Sequence, residues 1–138
     1  MNDLIEQNKS IVRRFNMEFV QGNKQEVFDE IISPDFINHS AAPGTPNDAQ
    51  GVKYFFNGLL RPAIADLTVH IHQQVGEDDR VVTLKSFHGT HTGDFFGIPP
   101  TGRNITITVI DILRIKDGKF VEHWAQFDLS DVIARLRS

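Results

Sequence analysis

The chain has 138 residues, 40% hydrophobic and 23% charged, with a formal net charge of −4 at pH 7. This length predicts one domain over residues 1–138, and the acidic balance without a Lys/Arg cluster argues against nucleic-acid binding. The lack of cysteine excludes disulfides and thiolate chemistry, and the lack of a signal-like or membrane-spanning apolar run predicts a cytoplasmic protein without a membrane partner.

The first half of the chain shows helical periodicity. Apolar residues at helical spacing predict an amphipathic helix over residues 3–21. Asn23 and Glu26 form a capping-box pattern, which predicts a short second helix. A third helix is predicted over residues 49–60, and a short extended segment over residues 35–39.

The second half alternates with the period of strands. Residues 67–72 and 80–91 predict two strands, and a pair of longer strands follows on either side of an Asp-Gly turn. A short helix is predicted over residues 129–136. Helices first and strands afterwards indicate an α+β domain, in which a curved antiparallel sheet wraps around the N-terminal helices and leaves a conical internal pocket.

The turn between the last two strands decides which residues share a face. A two-residue Asp-Gly loop would place Asp111 opposite Trp124. A three-residue Lys-Asp-Gly loop over residues 116–118, with Gly118 in the left-handed conformation, would place Asp111 opposite His123. We favour the three-residue loop, because it pairs the apolar row of one strand with the apolar row of the other.

Asp111 is the residue that fits its surroundings least, since it lies between Val109 and Leu113 on an apolar row. Desolvation would raise its pKa, and a carboxylate in an apolar pocket is suited to removing a proton next to a carbonyl group. His123 would be its partner in acid–base catalysis. The alternative is a buried Asp–His pair that only holds the sheet together, and the residues themselves leave both interpretations open.

Further residues are candidates for substrate binding. His39 precedes a Pro/Gly loop and could reach the pocket mouth, or cap the loop. His91 could contact a ligand, or hold the loop that follows it. Phe55, Phe95 and Phe127 could line a site for a flat apolar molecule. No helix carries paired histidines at metal-binding spacing, so we expect no metal.

The opposite face of the last two strands is also apolar. It carries Trp124 together with Ile110, Ile112 and Phe120. An exposed row of this kind needs a partner, which predicts a symmetric homodimer formed sheet to sheet.

Several stretches together resemble one family. They are residues 89–102 (GTHTGDFFGIPPTG), residues 117–119 (DGK), residues 122–124 (EHW) and residues 36–39 (FINH). This pattern, which extends over nearly the whole chain, resembles the SnoaL-like ester cyclases of the nuclear-transport-factor-two-like superfamily. The resemblance implies a cone-shaped α+β barrel around an apolar pocket, usually dimeric through the sheet.

The resemblance also implies an activity. The cyclases of this family close a ring by intramolecular aldol condensation of a polyketide ester, without a metal or an organic cofactor. Their essential aspartate corresponds to Ala125 here, and their histidine on the preceding strand corresponds to Asp111. We therefore predict a cofactor-free enzyme of cyclase type, acting on a small hydrophobic carbonyl compound through Asp111 and His123. The alternatives are a non-catalytic ligand-binding or dimerisation module, and a dehydratase, isomerase or hydrolase using the same pocket.

Overall fold

The computed structural model describes residues 2–138, and its helical regions precede most of the sheet. The helical elements are α1 (Asn2–Arg14) with a π-helical continuation (Phe15–Gln21), α2 (Gln25–Ile31), α3 (Ala49–Tyr54) with a π-helical continuation (Phe55–Leu60), α4 (Arg61–Ala63) and, at the C-terminal end, α5 (Leu129–Arg137). The predicted helices are confirmed. Among the residues described, no helix is long and apolar enough to cross a membrane.

The start of α2 differs from the prediction. Lys24 is its N-cap residue, and no side chain caps the helix. Asn23 instead has a φ of 59°, a left-handed conformation that asparagine tolerates better than most residues. The predicted capping box is therefore wrong, because the chain uses Asn23 to turn between two helices.

Five strands form one curved, unclosed sheet in the order β1-β5-β4-β3-β2. They are β1 (Ile32–Asn38), β2 (Thr68–Glu77), β3 (Arg80–Thr90), β4 (Asn104–Lys116) and β5 (Lys119–Phe127). The predicted α+β class is confirmed. The sheet is mixed rather than wholly antiparallel, because β1 runs parallel to β5.

The β4–β5 hairpin has a two-residue loop rather than the predicted three-residue loop. Asp117 and Gly118 have φ values of 52° and 76°, as the two central residues of a type I′ turn require. The register then shifts by one residue where Val121 forms a β-bulge between the pairs that Ile115 and Arg114 make with β5. The hairpin therefore begins in one register and continues in another.

This bulge determines what lies across from the buried carboxylate. Asp111 faces Ala125, and His123 faces Leu113, so the predicted direct pairing of Asp111 with His123 is wrong. The observed register differs from the predicted one by two residues along β5. Because side chains alternate with a period of two, Asp111 and His123 nevertheless point to the same face of the sheet.

The same bulge turns Phe120 towards the helices. Phe120 is buried, and its ring centroid lies 5.0 Å from that of Phe15. Its predicted place on the outer face with Trp124 is therefore wrong. Apolar residues of β3, β4 and β5 form the inner face of the sheet and pack against aromatic side chains of the helices. Between these two layers the packing is incomplete, and a cavity remains.

Candidate active site

The cavity has a volume of about 270 Å³ and lies between the inner face of the sheet and the helices. Aromatic and aliphatic side chains make up most of its wall. The polar and titratable side chains on the wall are Asn38, Ser40, Thr45, Tyr54, Lys85, Asp111 and His123. An apolar pocket with a few convergent polar groups is the usual form of a small-molecule site.

Asp111 is at the centre of the polar groups and is 2% exposed. Its Oδ2 atom lies 3.0 Å from Nζ of Lys85 and 3.4 Å from Nε2 of His123. The three side chains come from three adjacent strands: Lys85 from β3, Asp111 from β4 and His123 from β5. A carboxylate, an ammonium and an imidazole therefore meet at one point of an otherwise apolar wall.

Lys85 is 4% exposed and is held from a second side as well. Its Nζ donates a hydrogen bond of 2.8 Å to Oδ1 of Asn16. Asn16 is fully buried in the π-helical segment, and its Nδ2 donates to the carbonyl oxygen of Val12 at 2.9 Å. Because the amide is fixed by Val12, its oxygen has a defined direction towards Lys85. Single π-helical turns are frequent at functional sites.

The sequence analysis did not identify Lys85, although the residue pattern of β3 contained a signal. Lys85 shares its strand parity with Val81 and Phe87, both of which are buried on the inner face. A period-two reading anchored on these two apolar residues would have placed the lysine inside. The opposite row also contains apolar residues, Val82 and Leu84, and this leaves the orientation of the strand ambiguous.

The pKa of Asp111 is lowered, contrary to our prediction. Burial is the largest single effect and acts to raise the pKa, as expected for a desolvated carboxyl group. The charge of Lys85 and the hydrogen bond from His123 act in the opposite direction, and with their further contributions they outweigh burial. The prediction considered the apolar neighbours on β4 but not the ammonium on β3. Asp111 is therefore a carboxylate at neutral pH.

One oxygen of this carboxylate has no partner within residues 2–138. Oδ1 of Asp111 is buried and accepts no hydrogen bond from any of them, while Oδ2 takes both Lys85 and His123. A buried acceptor without a donor costs about 1–3 kcal/mol, so such an atom needs an explanation. Asp111 lines the cavity, so a molecule bound there would lie next to this carboxylate.

Both ring nitrogens of His123 face oxygen acceptors. Nδ1 lies 3.1 Å from Oδ1 of Asn38, and that oxygen also accepts from the backbone N–H of Ser40. Nε2 faces Asp111. A neutral imidazole can donate from only one nitrogen, whereas the protonated ring donates from both. His123 can therefore exchange a proton with the site while remaining oriented by Asn38.

Two of the predicted substrate-binding residues line the cavity. Phe55 and Phe127 belong to its wall, and their ring centroids are 5.6 Å apart in an edge-to-face arrangement. Phe55 lies on the π-helical continuation of α3, and Phe127 is the last residue of β5. The helix and the sheet thus contact each other at the cavity through this aromatic pair.

His39 does not lie where we expected it. Its ring stacks on Trp124 with centroids 4.8 Å apart, and its Nε2 bonds to Oε2 of Glu122 at 2.8 Å. These residues belong to the outer face of the sheet, opposite to Asp111. The chain turns outward directly after β1, so the expected contact of His39 with the pocket is wrong.

His91 and Phe95 also lie outside the cavity wall. His91 is fully buried, and its Nδ1 accepts from the backbone N–H of Thr101 at 3.3 Å, so it holds the two ends of the following loop together. Phe95 packs on His91 with centroids 6.1 Å apart. Its neighbour Phe96, which has a left-handed φ of 50°, lines the cavity instead. The placement of Phe95 at the pocket is therefore wrong, and of the two interpretations of His91 the structure supports the one in which it holds the following loop.

A curved, open sheet folded against helices, with charged groups on the wall of an apolar cavity, defines a cone-like α+β protein with an internal pocket. Residues 10–136 match the family model of the SnoaL-like polyketide cyclases. The chain therefore belongs to the SnoaL-like polyketide cyclase family, as the sequence analysis predicted.

Relatives of known name agree with this assignment. Nogalonic acid methyl ester cyclase of Streptomyces nogalater is 29% identical over 119 residues, which cover 79% of this chain and 83% of that protein. Aklanonic acid methyl ester cyclase DauD of Streptomyces sp. (strain C5) is 27% identical over 118 residues, covering 82% and 71% of the two chains. The crystal structure of wild-type IdmH from Streptomyces antibioticus matches with a TM-score of 0.84 at 29% identity, covering 96% of this chain and 99% of that one.

Proposed function

We propose that the protein is an enzyme that uses Asp111 as a general base on a small, hydrophobic carbonyl compound. The observation that carries this proposal is the unpartnered Oδ1 of an ionised carboxylate on the wall of an apolar cavity. A carboxylate in this state can accept a proton, and the cavity offers space for an apolar molecule beside it. The cyclases among its relatives point to a polyketide-like ester as the substrate class.

The reaction requires no group beyond the side chains described. Oδ1 of Asp111 takes a proton from the carbon next to a carbonyl group. The electron pair of the broken C–H bond forms a C=C bond, and the π electron pair of the carbonyl group moves onto its oxygen to give an enolate. In a cyclisation, the enolate carbon then forms a bond to a second carbonyl carbon of the same molecule. The resulting alkoxide takes a proton from Nε2 of His123. The carboxyl group of Asp111 then returns a proton to that imidazole and becomes a carboxylate again, so that atoms and charges balance.

A second candidate function is a non-catalytic binding module of the same fold. Ala125, where the family resemblance implies the essential aspartate, favours it, because a methyl group cannot act as a base. In this case the contacts of Asp111 with Lys85 and His123 would serve the structure of the sheet alone. The two candidates differ in whether the protein moves a proton of a bound ketone.

Deuterium exchange distinguishes the two candidates. The probe is β-tetralone, a flat bicyclic ketone with acidic C–H bonds, incubated with the protein in deuterium oxide and followed by proton NMR. An enzyme with a general base accelerates exchange, and the D111N variant loses about 10²–10⁴-fold of that acceleration. The D35N variant makes the same change at an exposed aspartate and keeps the wild-type rate. Exchange no faster than in buffer, with β-tetralone bound, would support the binding module.

We also propose that the protein forms a homodimer through the outer face of its sheet. Ile110 on this face is 51% exposed, and Val75 on β2 is exposed as well. Trp124 lies between them and the stacked ring of His39. An apolar surface that spans several strands of one sheet is suited to a symmetric contact with a second copy.

A further inference from the structure

We propose that Lys85 is a catalytic residue of this site, whose ammonium binds the carbonyl oxygen of the substrate and stabilises the enolate. This inference rests on the proposed function, because it assigns the partner of the proton transfer to Asp111. It also assigns a chemical role to a residue that the sequence pattern of β3 left undefined.

The hydrogen bonds of Lys85 leave one donor unused. A lysine ammonium has three N–H donors. One goes to Oδ2 of Asp111 and one to Oδ1 of Asn16, and within residues 2–138 no third acceptor bonds to Nζ. Lys85 itself lines the cavity, so a bound molecule can supply the third acceptor.

The two open positions of the ion pair are complementary to one ligand fragment. Asp111 offers an acceptor, Oδ1, and Lys85 offers a donor, the third N–H of Nζ. A carbonyl group with an adjacent C–H bond presents an acceptor oxygen and an acidic hydrogen on two neighbouring carbon atoms. A hydrocarbon would satisfy neither position, and an alcohol would satisfy both only without reacting. An enolisable ketone or ester is therefore the class of ligand that this pair fits.

The charges of the site stay balanced through the step. Before it, the carboxylate of Asp111 is negative and Lys85 is positive. When the C–H bond breaks, its proton goes to Oδ1, its electron pair forms the C=C bond, and the negative charge appears on the carbonyl oxygen beside the same ammonium. Lys85 keeps its proton throughout. No unpaired charge is created in the apolar cavity, where it would be costly, and the reverse step restores the starting state.

The surroundings of Lys85 favour this electrostatic role over a covalent one. A Schiff base needs a neutral amine, whereas Nζ lies 3.0 Å from a carboxylate that is ionised at neutral pH. Asn16 holds the ammonium through a neutral oxygen, which orients the charge without neutralising it. Nζ also lies over the Phe87 ring, 5.4 Å from its centroid, an arrangement that favours a cation.

Exchange of β-tetralone in deuterium oxide tests the role of Lys85. Removing one oxyanion-stabilising donor typically costs a factor of about 10²–10³, so we expect K85M to lose that much of the rate. K85R, which keeps a positive charge, should retain more of the rate than K85M. The control K116M makes the same change at an exposed lysine at the end of β4 and should exchange at the wild-type rate.

The outcomes separate this inference from the proposed function. A K85M variant that exchanges as fast as the wild type, alongside an inactive D111N variant, would overturn the role of Lys85 and leave the proposed base intact. Wild-type protein that does not accelerate exchange would overturn the proposed function and this inference with it.

Two further measurements test the role of Lys85 in the wild-type protein. They do not require the K85M variant to fold, in which the buried charge of Asp111 lacks its partner. Isotope-edited infrared spectroscopy of bound β-tetralone should show its carbonyl stretch at lower frequency than in hexane, as contact with an ammonium requires. An unshifted stretch would overturn the inference. Treatment of the protein with borohydride in the presence of β-tetralone should leave Lys85 unmodified. A reduced adduct of β-tetralone on Lys85 would show a Schiff base and would replace the proposed role with covalent catalysis.

Discussion

Asp111 and Ala125 face each other across β4 and β5, and the imidazole that contacts Asp111 comes from the diagonal neighbour His123. Diagonal partners on one face of a sheet lie farther apart than direct ones, but long and aromatic side chains can still meet. The methyl group of Ala125 takes up little space across from the carboxylate. The small side chain of Ala125 therefore leaves room for the His123 ring to extend towards β4 and contact Oδ2 of Asp111.

A second carboxylate at position 125 should change the pH dependence of catalysis. In the A125D variant two carboxyl groups would face each other with Cβ atoms about 4.5–5.5 Å apart. Like charges at this distance raise the pKa of one of them, so the base should lose its ionised form at a higher pH than in the wild type. We expect the acidic limb of the rate–pH profile for β-tetralone exchange to move to higher pH. A profile that moves to lower pH would contradict the arrangement.

The lowered pKa of Asp111 should also appear in acid unfolding. A group whose pKa is lower in the folded than in the unfolded chain stabilises the fold above its ordinary value, about 3.9 for Asp, and this contribution is lost as the pH falls towards the folded value. Urea unfolding at pH 6, 4 and 3 should therefore show a smaller loss of stability in D111N than in the wild type. D35N, altered at an exposed aspartate, should follow the wild type. A D111N curve as steep as that of the wild type would contradict the lowered pKa.

The ion pair of Lys85 and Asp111 should show strong coupling in unfolding experiments. Removing one partner leaves a buried charge, which typically costs about 3–5 kcal/mol. We therefore expect K85M and D111N each to be destabilised by about this amount. The double variant should lose clearly less than the sum of the two, because neither charge is then left alone. Additive losses in the free energy of unfolding would show that the two side chains do not interact.

The fold was predictable because its signals are local. Helical spacing, the Asp-Gly turn and strand alternation each come from short-range chemistry, and together they gave the helices, the strands and the buried face of Asp111. The bulge at Val121 was not predictable, because an extra residue in a strand leaves no compositional trace. The predicted and observed registers differ by two residues, and only for this reason did the expected contact between Asp111 and His123 survive.

The site was less predictable because it depends on distant parts of the chain. Lys85 and Asn16 are 69 positions apart and meet only when the π-helical segment packs against the sheet. The position of His39 depends on the direction of the chain after an edge strand, which no local pattern contains. Residues on regular strands could be placed by parity, whereas those in loops could not.

The outer face of the sheet offers a test of the proposed dimer. Ile110 is 51% exposed, and lysine at this position would bring two like charges together across a two-fold axis. Sedimentation equilibrium should show a dimer for the wild type and a monomer for I110K. The matched control is L4K, since Leu4 is 53% exposed but lies on α1, away from the outer face, and this variant should remain dimeric. A dimer that persists in I110K would place the contact elsewhere, and a monomeric wild type would show that this apolar face is not a contact between copies.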